Sequence, residues 1–192
     1  MNISLFLTLT RLAASVMLLP FFFYCAPWQS SFLWAVLLDV FVLLLCFTDF
    51  LDGRLARLLH IESDAGRVFD PVADKVLVTT MFLILFSAGR VGFGIVILVI
   101  VREFIVMGLR ELALMQGASV PVVFWGKLKT ATQMFFSVFQ VVNPCFYGVQ
   151  GNTRTVFFLV EQLLWWLVVI LTVESALNYF LTFRCVTKKS AK

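Results

Sequence analysis

Six apolar runs, each close to the length that crosses a bilayer, follow one another along this chain with short polar breaks between them. A spanning helix needs about 20 consecutive apolar residues. Only a helix or a closed barrel satisfies its backbone N–H and C=O groups where no water can reach them. The runs cover about residues 5–25, 32–51, 69–87, 92–114, 127–149 and 155–183. They use up nearly all of the 192 residues, so no separate soluble domain fits. The expected fold is an all-α integral membrane protein with six transmembrane helices, a single domain over residues 1–185 and a short basic cytoplasmic tail over 186–192. The first run does not read as a cleaved leader. Its basic residue, Arg11, lies inside the run, and the sequence after it is Ala26-Pro27-Trp28 rather than a small-residue cleavage site.

Composition agrees with this reading. Charged residues make up 14% of the chain and hydrophobic ones 61%, against about 25% and 45–50% in soluble domains. A soluble enzyme, a disordered chain and a nucleic-acid-binding module are therefore excluded. The formal charge of +4 fits basic loops beside anionic lipid, with no nucleic-acid partner expected. Cys25, Cys46, Cys145 and Cys185 have no metal spacing and are expected to be buried small hydrophobes. His60 has no Cys or His partner and reads as a surface histidine.

The basic residues orient the chain. With six spans, one set of ends holds 13 Lys and Arg residues and the opposite set holds only Arg90 and Arg154. By the positive-inside rule both termini are cytoplasmic, and so is the connection of about sixteen residues after Leu51. Retained spans with no leader suit a bacterial inner (plasma) membrane.

The acids are few and clustered. Asp49 and Asp52 are three apart, and Asp70 and Asp74 are four apart. On helices each pair shares a face. Both pairs sit where an apolar run meets the cytoplasmic side, and a short link joins the two runs. Four carboxylates gathered at one point repel unless cations or protons neutralise them. An all-oxygen carboxylate set suits Mg²⁺ or Mn²⁺ rather than Zn²⁺. Gly53 and Ala56, beside the first pair, serve either close approach of a ligand or close helix packing.

Asp49-x-x-Asp52-Gly53-x-x-Ala56-Arg57, eight residues, then Gly66-x-x-x-Asp70-x-x-x-Asp74 resembles the CDP-alcohol phosphotransferase signature at every fixed position. The resemblance covers about residues 1–140 and implies a six-span membrane enzyme. It implies that Asp49, Asp52, Asp70 and Asp74 hold two divalent ions, with Asp74 also the catalytic base. It further implies that Gly53, Ala56, Arg57 and Gly66 contact the cytidine diphosphate part of CDP-diacylglycerol. The stretches Val101-Arg-Glu-Phe-Ile-Val-Met-Gly-Leu-Arg-Glu111 and Trp125-Gly-Lys-Leu-Lys-Thr130 favour the branch of the family whose acceptor is glycerol 3-phosphate. Sister enzymes using inositol phosphate, serine or phosphatidylglycerol are the alternative. One departure is the opening, Ile-Ser-Leu-Phe-Leu-Thr, where the family usually shows Pro-Asn. A homodimer is expected from the resemblance alone.

A dianionic acceptor requires a basic subsite. Arg102 and Arg110 are about two helical turns apart on nearly one face, and Lys127 and Lys129 open the next run. These four are the expected acceptor-phosphate pocket, with Glu103 and Glu111 as partners that fix the arginines. The competing reading of the same residues is a basic cytoplasmic rim. Asp39 lies about 15 Å deeper than Asp49 along its helix, as a functional acid or a helix–helix hydrogen bond. Glu161 and Glu174 are expected to face a dimer partner, and Trp165 and Trp166 to face lipid or its interface. A small cation transporter is disfavoured, because the acid pairs lie at one face rather than through the membrane depth.

Overall fold

The structure is a computed structural model that describes residue 10 and residues 12–58, 64–115, 124–143 and 152–190. Within these, the side chains at 49–58, 64–71, 74, 124–125, 127, 152–153 and 185–190 lie outside the description. The described residues form helices and connecting turns, with no strand among them.

Helix α1 covers Ala14–Cys25. It opens with a π-helical turn, Ala14–Leu18, and continues as α-helix through Leu19–Cys25. The others are α2 (Phe32–Leu58), α3 (Asp64–Ser87), α4 (Phe93–Met115), α5 (Phe124–Val142) and α6 (Asn152–Ser190). Each expected apolar run thus falls on one helical stretch. Arg154–Arg184, within α6, is long and apolar enough to cross a membrane; among the described residues it alone meets that test. Shorter apolar stretches cover Phe32–Thr48 and Lys75–Ser87.

Several helix ends differ from the expected ones. Helix α2 continues past Leu51 to Leu58, and α3 starts at Asp64, before the apolar run at residue 69. The polar stretch after Leu51 is therefore largely helical rather than a loop. Hydropathy marks where the surroundings change, whereas Leu, Ala and Arg keep a helix going in either solvent. Helix α6 likewise continues past Phe183 to Ser190. Apolar residues 144–149, expected in the fifth run, lie outside the described residues.

The turn between α3 and α4 ends in a Schellman motif. Arg90 N–H donates to the Leu85 carbonyl (2.8 Å) and Gly89 N–H to that of Phe86 (2.9 Å). Gly89 has φ +70°, a left-handed conformation open to glycine at little cost. Between α1 and α2 the chain turns at Ala26-Pro27, and buried Trp28 donates its indole N–H to the Phe23 carbonyl (3.1 Å).

Helix α5 packs against α2, α3 and α6; α6 also packs against α4, and α3 against α4 and α1. Residue pairings give the directions. Gly126 meets Tyr179, Gln133 meets Thr172 and Gln140 meets Glu161, so α5 and α6 run antiparallel. Arg102 meets Ser175 and Arg110 meets Tyr179, so α4 and α6 run parallel. The tight turn at Gly89 makes α3 antiparallel to α4, hence parallel to α5. The Phe82–Phe136 stack (6.1 Å) then sets the α3–α5 register.

Phe82, Met81, Leu85, Val99, Phe136 and Val168 form the middle of the core. The outer surface is also apolar: Trp34, Leu44, Phe47, Phe104, Phe135, Leu163 and Trp166 are among many exposed large side chains. An apolar patch of this extent on a soluble protein would be an interaction surface; around a whole bundle it fits hydrocarbon. Cys25 belongs to this surface. It is exposed and Cys46 half-buried, so the expectation that these two are buried does not hold. An apolar run cannot distinguish a core-facing thiol from a lipid-facing one, since both surroundings are apolar. Cys145 and the Cys185 side chain lie outside the description, as does His60.

Candidate active site

Asp49, Asp52, Gly53, Ala56 and Arg57 lie on the last turns of α2, and Gly66, Asp70 and Asp74 on the first turns of α3. Continuous helix at both places keeps the three- and four-residue spacings that put each aspartate pair on one side of its helix. The side chains of all eight lie outside the described residues, so the structure adds backbone placement only. The donor set, four carboxylates and no sulfur or imidazole, fits a hard divalent cation.

The basic candidates are described more fully. On α4, Arg102 and Glu103 are buried (7% and 6% exposed). On α5, Lys129 is 2% exposed. The Glu103 Oε1 atom accepts from Lys129 Nζ and, at 3.4 Å, from Arg102 Nη1. Arg102 Nε donates to Ser175 Oγ on α6 (3.2 Å), and that hydroxyl donates to the Thr172 carbonyl (3.0 Å). One turn further along α6, Tyr179 accepts a hydrogen bond from Arg110 Nη2. The guanidinium carbons of Arg102 and Arg110 stand 5.5 and 5.0 Å from the centre of the Tyr179 ring, within cation–π range.

The structure therefore brings Arg102, Arg110 and Lys129 together, as expected, and adds Glu103, Ser175 and Tyr179. The Lys127 side chain lies outside the described residues. Glu111 is exposed, whereas Glu103 does pair with the basic group. Among the described residues, Glu103 meets Arg102 and Lys129, while Arg110 meets the Tyr179 hydroxyl. Two donors, Arg102 Nη2 and Arg110 Nε, are buried with no partner among the described residues. A buried charge-bearing donor left unmatched is costly, so the cluster favours an anion.

Register ties this cluster to the aspartates. The residues two turns before Phe82 and Phe136 are Lys75 and Lys129, on parallel helices. Val76 and Thr79 of α3 line one cleft with Phe104 and Met107 of α4. Lys75 lines the same cleft, so the Asp74 backbone lies beside the α4 stretch between Arg102 and Arg110. The aspartate-bearing turns and the basic cluster thus share one end of the bundle.

Away from this end the seam between α5 and α6 remains polar. Gln133 Nε2 donates to Thr172 Oγ1 (3.3 Å). Gln140 Nε2 and Asn143 Nδ2 donate to the two oxygens of Glu161 (3.0 and 2.9 Å). Glu161 is thus turned into the bundle, where two buried amides need its acceptors. Trp166 is exposed, while Trp165 is partly buried against the core. Asp39 is 5% exposed, and neither carboxylate oxygen has a hydrogen-bond partner among the described residues.

A helical bundle with this acidic signature on two consecutive helices defines a class, and comparison with known families agrees. The chain belongs to the CDP-alcohol phosphatidyltransferase family, whose model matches residues 1–174. Among individual proteins it is 32% identical to the CDP-diacylglycerol–glycerol-3-phosphate 3-phosphatidyltransferase of Rickettsia bellii, over 93% of each chain. It is also 32% identical to the protein of that name from Treponema pallidum, over 98% of this chain and 92% of the other. For the Bacillus subtilis protein of the same name the identity is 35%, over 69% of this chain and 66% of the other.

Proposed function

We propose that this chain transfers the phosphatidyl group of CDP-diacylglycerol to sn-glycerol 3-phosphate, giving phosphatidylglycerol phosphate and CMP. The family and the printed names of relatives aligned over most of the chain support the reaction. The observation that carries the acceptor is the buried basic cluster, with two unmatched guanidinium donors, at the same end of the bundle as Asp74.

The primary hydroxyl of glycerol 3-phosphate attacks the phosphorus that bears the diacylglycerol oxygen. A new P–O bond forms, the P–O bond to CMP breaks, and CMP leaves with the electron pair. Asp74 takes the hydroxyl proton. Asp49, Asp52, Asp70 and Asp74 would hold Mg²⁺ or Mn²⁺, two ions per site, which when bound supply charge neutralisation at the diphosphate. Gly53, Ala56, Arg57 and Gly66 bind the cytidine diphosphate moiety. Arg102 and Arg110 bind the acceptor phosphate, for which forked guanidinium donors are well suited. Lys129 adds positive charge and is itself held by Glu103. Lys127 belongs to the same pocket by its place at the start of α5.

In this reading all six helices span a bacterial plasma membrane, with both termini and the site at the cytoplasmic face. The apolar outer surface and the excess of basic residues at the aspartate end support that orientation.

The test is to incubate purified protein with CDP-diacylglycerol, Mg²⁺ or Mn²⁺ and labelled glycerol 3-phosphate. Labelled lipid and CMP should both appear, and Asp74→Asn should lose at least a hundredfold in rate, as expected for a general base. Product only with serine, inositol phosphate or phosphatidylglycerol would move the chain to a sister enzyme. No CMP with any acceptor would end the reading.

A further inference from the structure

We infer that Tyr179, on the last helix, is a positioning residue that pre-sets Arg102 and Arg110 for the acceptor phosphate. The inference rests on the reading of that cluster as the acceptor pocket. Two guanidinium groups repel, and holding both near one point requires a group that attracts each of them. Tyr179 does so in two ways. Its ring, 2% exposed, lies within cation–π range of both Arg102 and Arg110, and its hydroxyl accepts from Arg110 Nη2. Ser175, one turn earlier, accepts from Arg102 Nε. Arg110 is thus fixed through Nη2 and Arg102 through Nε and Nη1, while Arg102 Nη2 and Arg110 Nε stay unmatched among the described residues. A fork whose geometry is set before binding loses less side-chain freedom when the ligand arrives.

Gly126 makes room for this arrangement. A Cβ there would stand 3.3 Å from the Tyr179 hydroxyl and 3.4 Å from its Cε2. That is tighter than ordinary contact, so any side chain at 126 displaces the ring by a few tenths of an ångström. The glycine of the Gly126-Lys-Leu-Lys stretch thereby acts through Tyr179.

The experiment compares wild type, Tyr179→Phe, Tyr179→Leu and Gly126→Ala in two assays. One is steady-state turnover with both substrates varied; the other is calorimetric titration with glycerol 3-phosphate. Tyr179→Phe keeps the ring and loses the hydroxyl. It should raise KM and Kd for glycerol 3-phosphate about tenfold, the scale of one hydrogen bond to a charged group. KM for CDP-diacylglycerol and kcat should stay within about twofold. Tyr179→Leu should weaken acceptor binding further, and Gly126→Ala should shift it in the same direction. In an Arg110→Ala background, Tyr179→Phe should add less than about twofold, since its hydroxyl has lost the group it acts on. The inference is overturned if Tyr179→Phe and Tyr179→Leu both leave acceptor KM and Kd unchanged. It is also overturned if Tyr179→Phe has its full effect without Arg110. Acceptor binding that depends on Tyr179 without any turnover would sink the proposed reaction but not the positioning role. Turnover indifferent to Tyr179 would do the reverse.

Discussion

Glu103 is the one carboxylate among the described residues that faces the basic cluster, and its removal gives the sharpest test of how the bundle is held together. At the 3.4 Å separation of Arg102 Nη1 and Glu103 Oε1, two unit charges at an effective dielectric of about 20 attract by roughly 5 kcal/mol. Burial of both partners cancels most of this, so the pair itself adds little net stability. Deleting one partner is different, because the others remain buried. Glu103→Gln keeps the shape and one acceptor oxygen but removes the negative charge that Arg102 and Lys129 share. The expected loss is about 3 kcal/mol, toward the low end for a broken buried pair. A neutral hydrogen bond between membrane helices is worth about 0.6 kcal/mol and at most about 1.7, so the two accounts differ measurably. The assay is reversible unfolding in mixed micelles titrated with a denaturing detergent, repeated for Lys129→Met and for the double variant. Lys129→Met should recover about 1.5 kcal/mol or more in the Glu103→Gln background, since it removes one of the two cations that Glu103 balances. A loss below about 1 kcal/mol for Glu103→Gln, or simple additivity of the two changes, would refute the ion-pair account.

Two further outcomes concern parts of the fold away from the site. Gly89→Ala should destabilise by about 1 kcal/mol, because φ of +70° is strained for any residue with a Cβ; Gly92→Ala, with open space around it and no positive φ, should be close to neutral in the same unfolding titration. Glu161→Leu removes the acceptor of the Gln140 and Asn143 amides and should cost about 2–4 kcal/mol, with Glu161→Gln milder; equal unfolding midpoints for all three proteins would show that the contact contributes nothing.

How far the sequence reveals this molecule depends on which property each feature leaves in it. Apolar run length reports surroundings, so the number and order of the helical stretches were legible. Their ends were not, because Asp52 to Leu58 and Asp64 to Arg67 leave the apolar zone without leaving the helix. The aspartate pattern was legible because its spacing is local. Arg102, Arg110 and Lys129 were legible as rare charges near one face. Tyr179 was not, since its partner Arg110 is 69 residues away and a tyrosine near a span end reads as interfacial. A signal did exist for the α5 seam. Gly126, Lys129, Gln133, Ser137 and Gln140 recur at intervals of three or four, which is one side of a helix. Lysine and glutamine at that spacing lower the mean hydropathy of the run, but the mean does not say that they lie on one side, which only the period itself shows. For Cys25 and Glu161, apolarity and charge do not encode which way a side chain points in a bilayer.

The direction of α6 has a bearing on how the protein is made. Ser175 and Tyr179 reach Arg102 and Arg110 from α6, which is synthesised after α4 and α5. Until α6 emerges, α4 and α5 carry an arginine, a glutamate and a lysine without the hydroxyls that complete their bonding. Charged groups packed together without their full set of partners are costly, so a chain that stops before α6 should be a substrate for quality control. A stop codon before residue 175 would therefore lower the amount of folded protein as well as its activity.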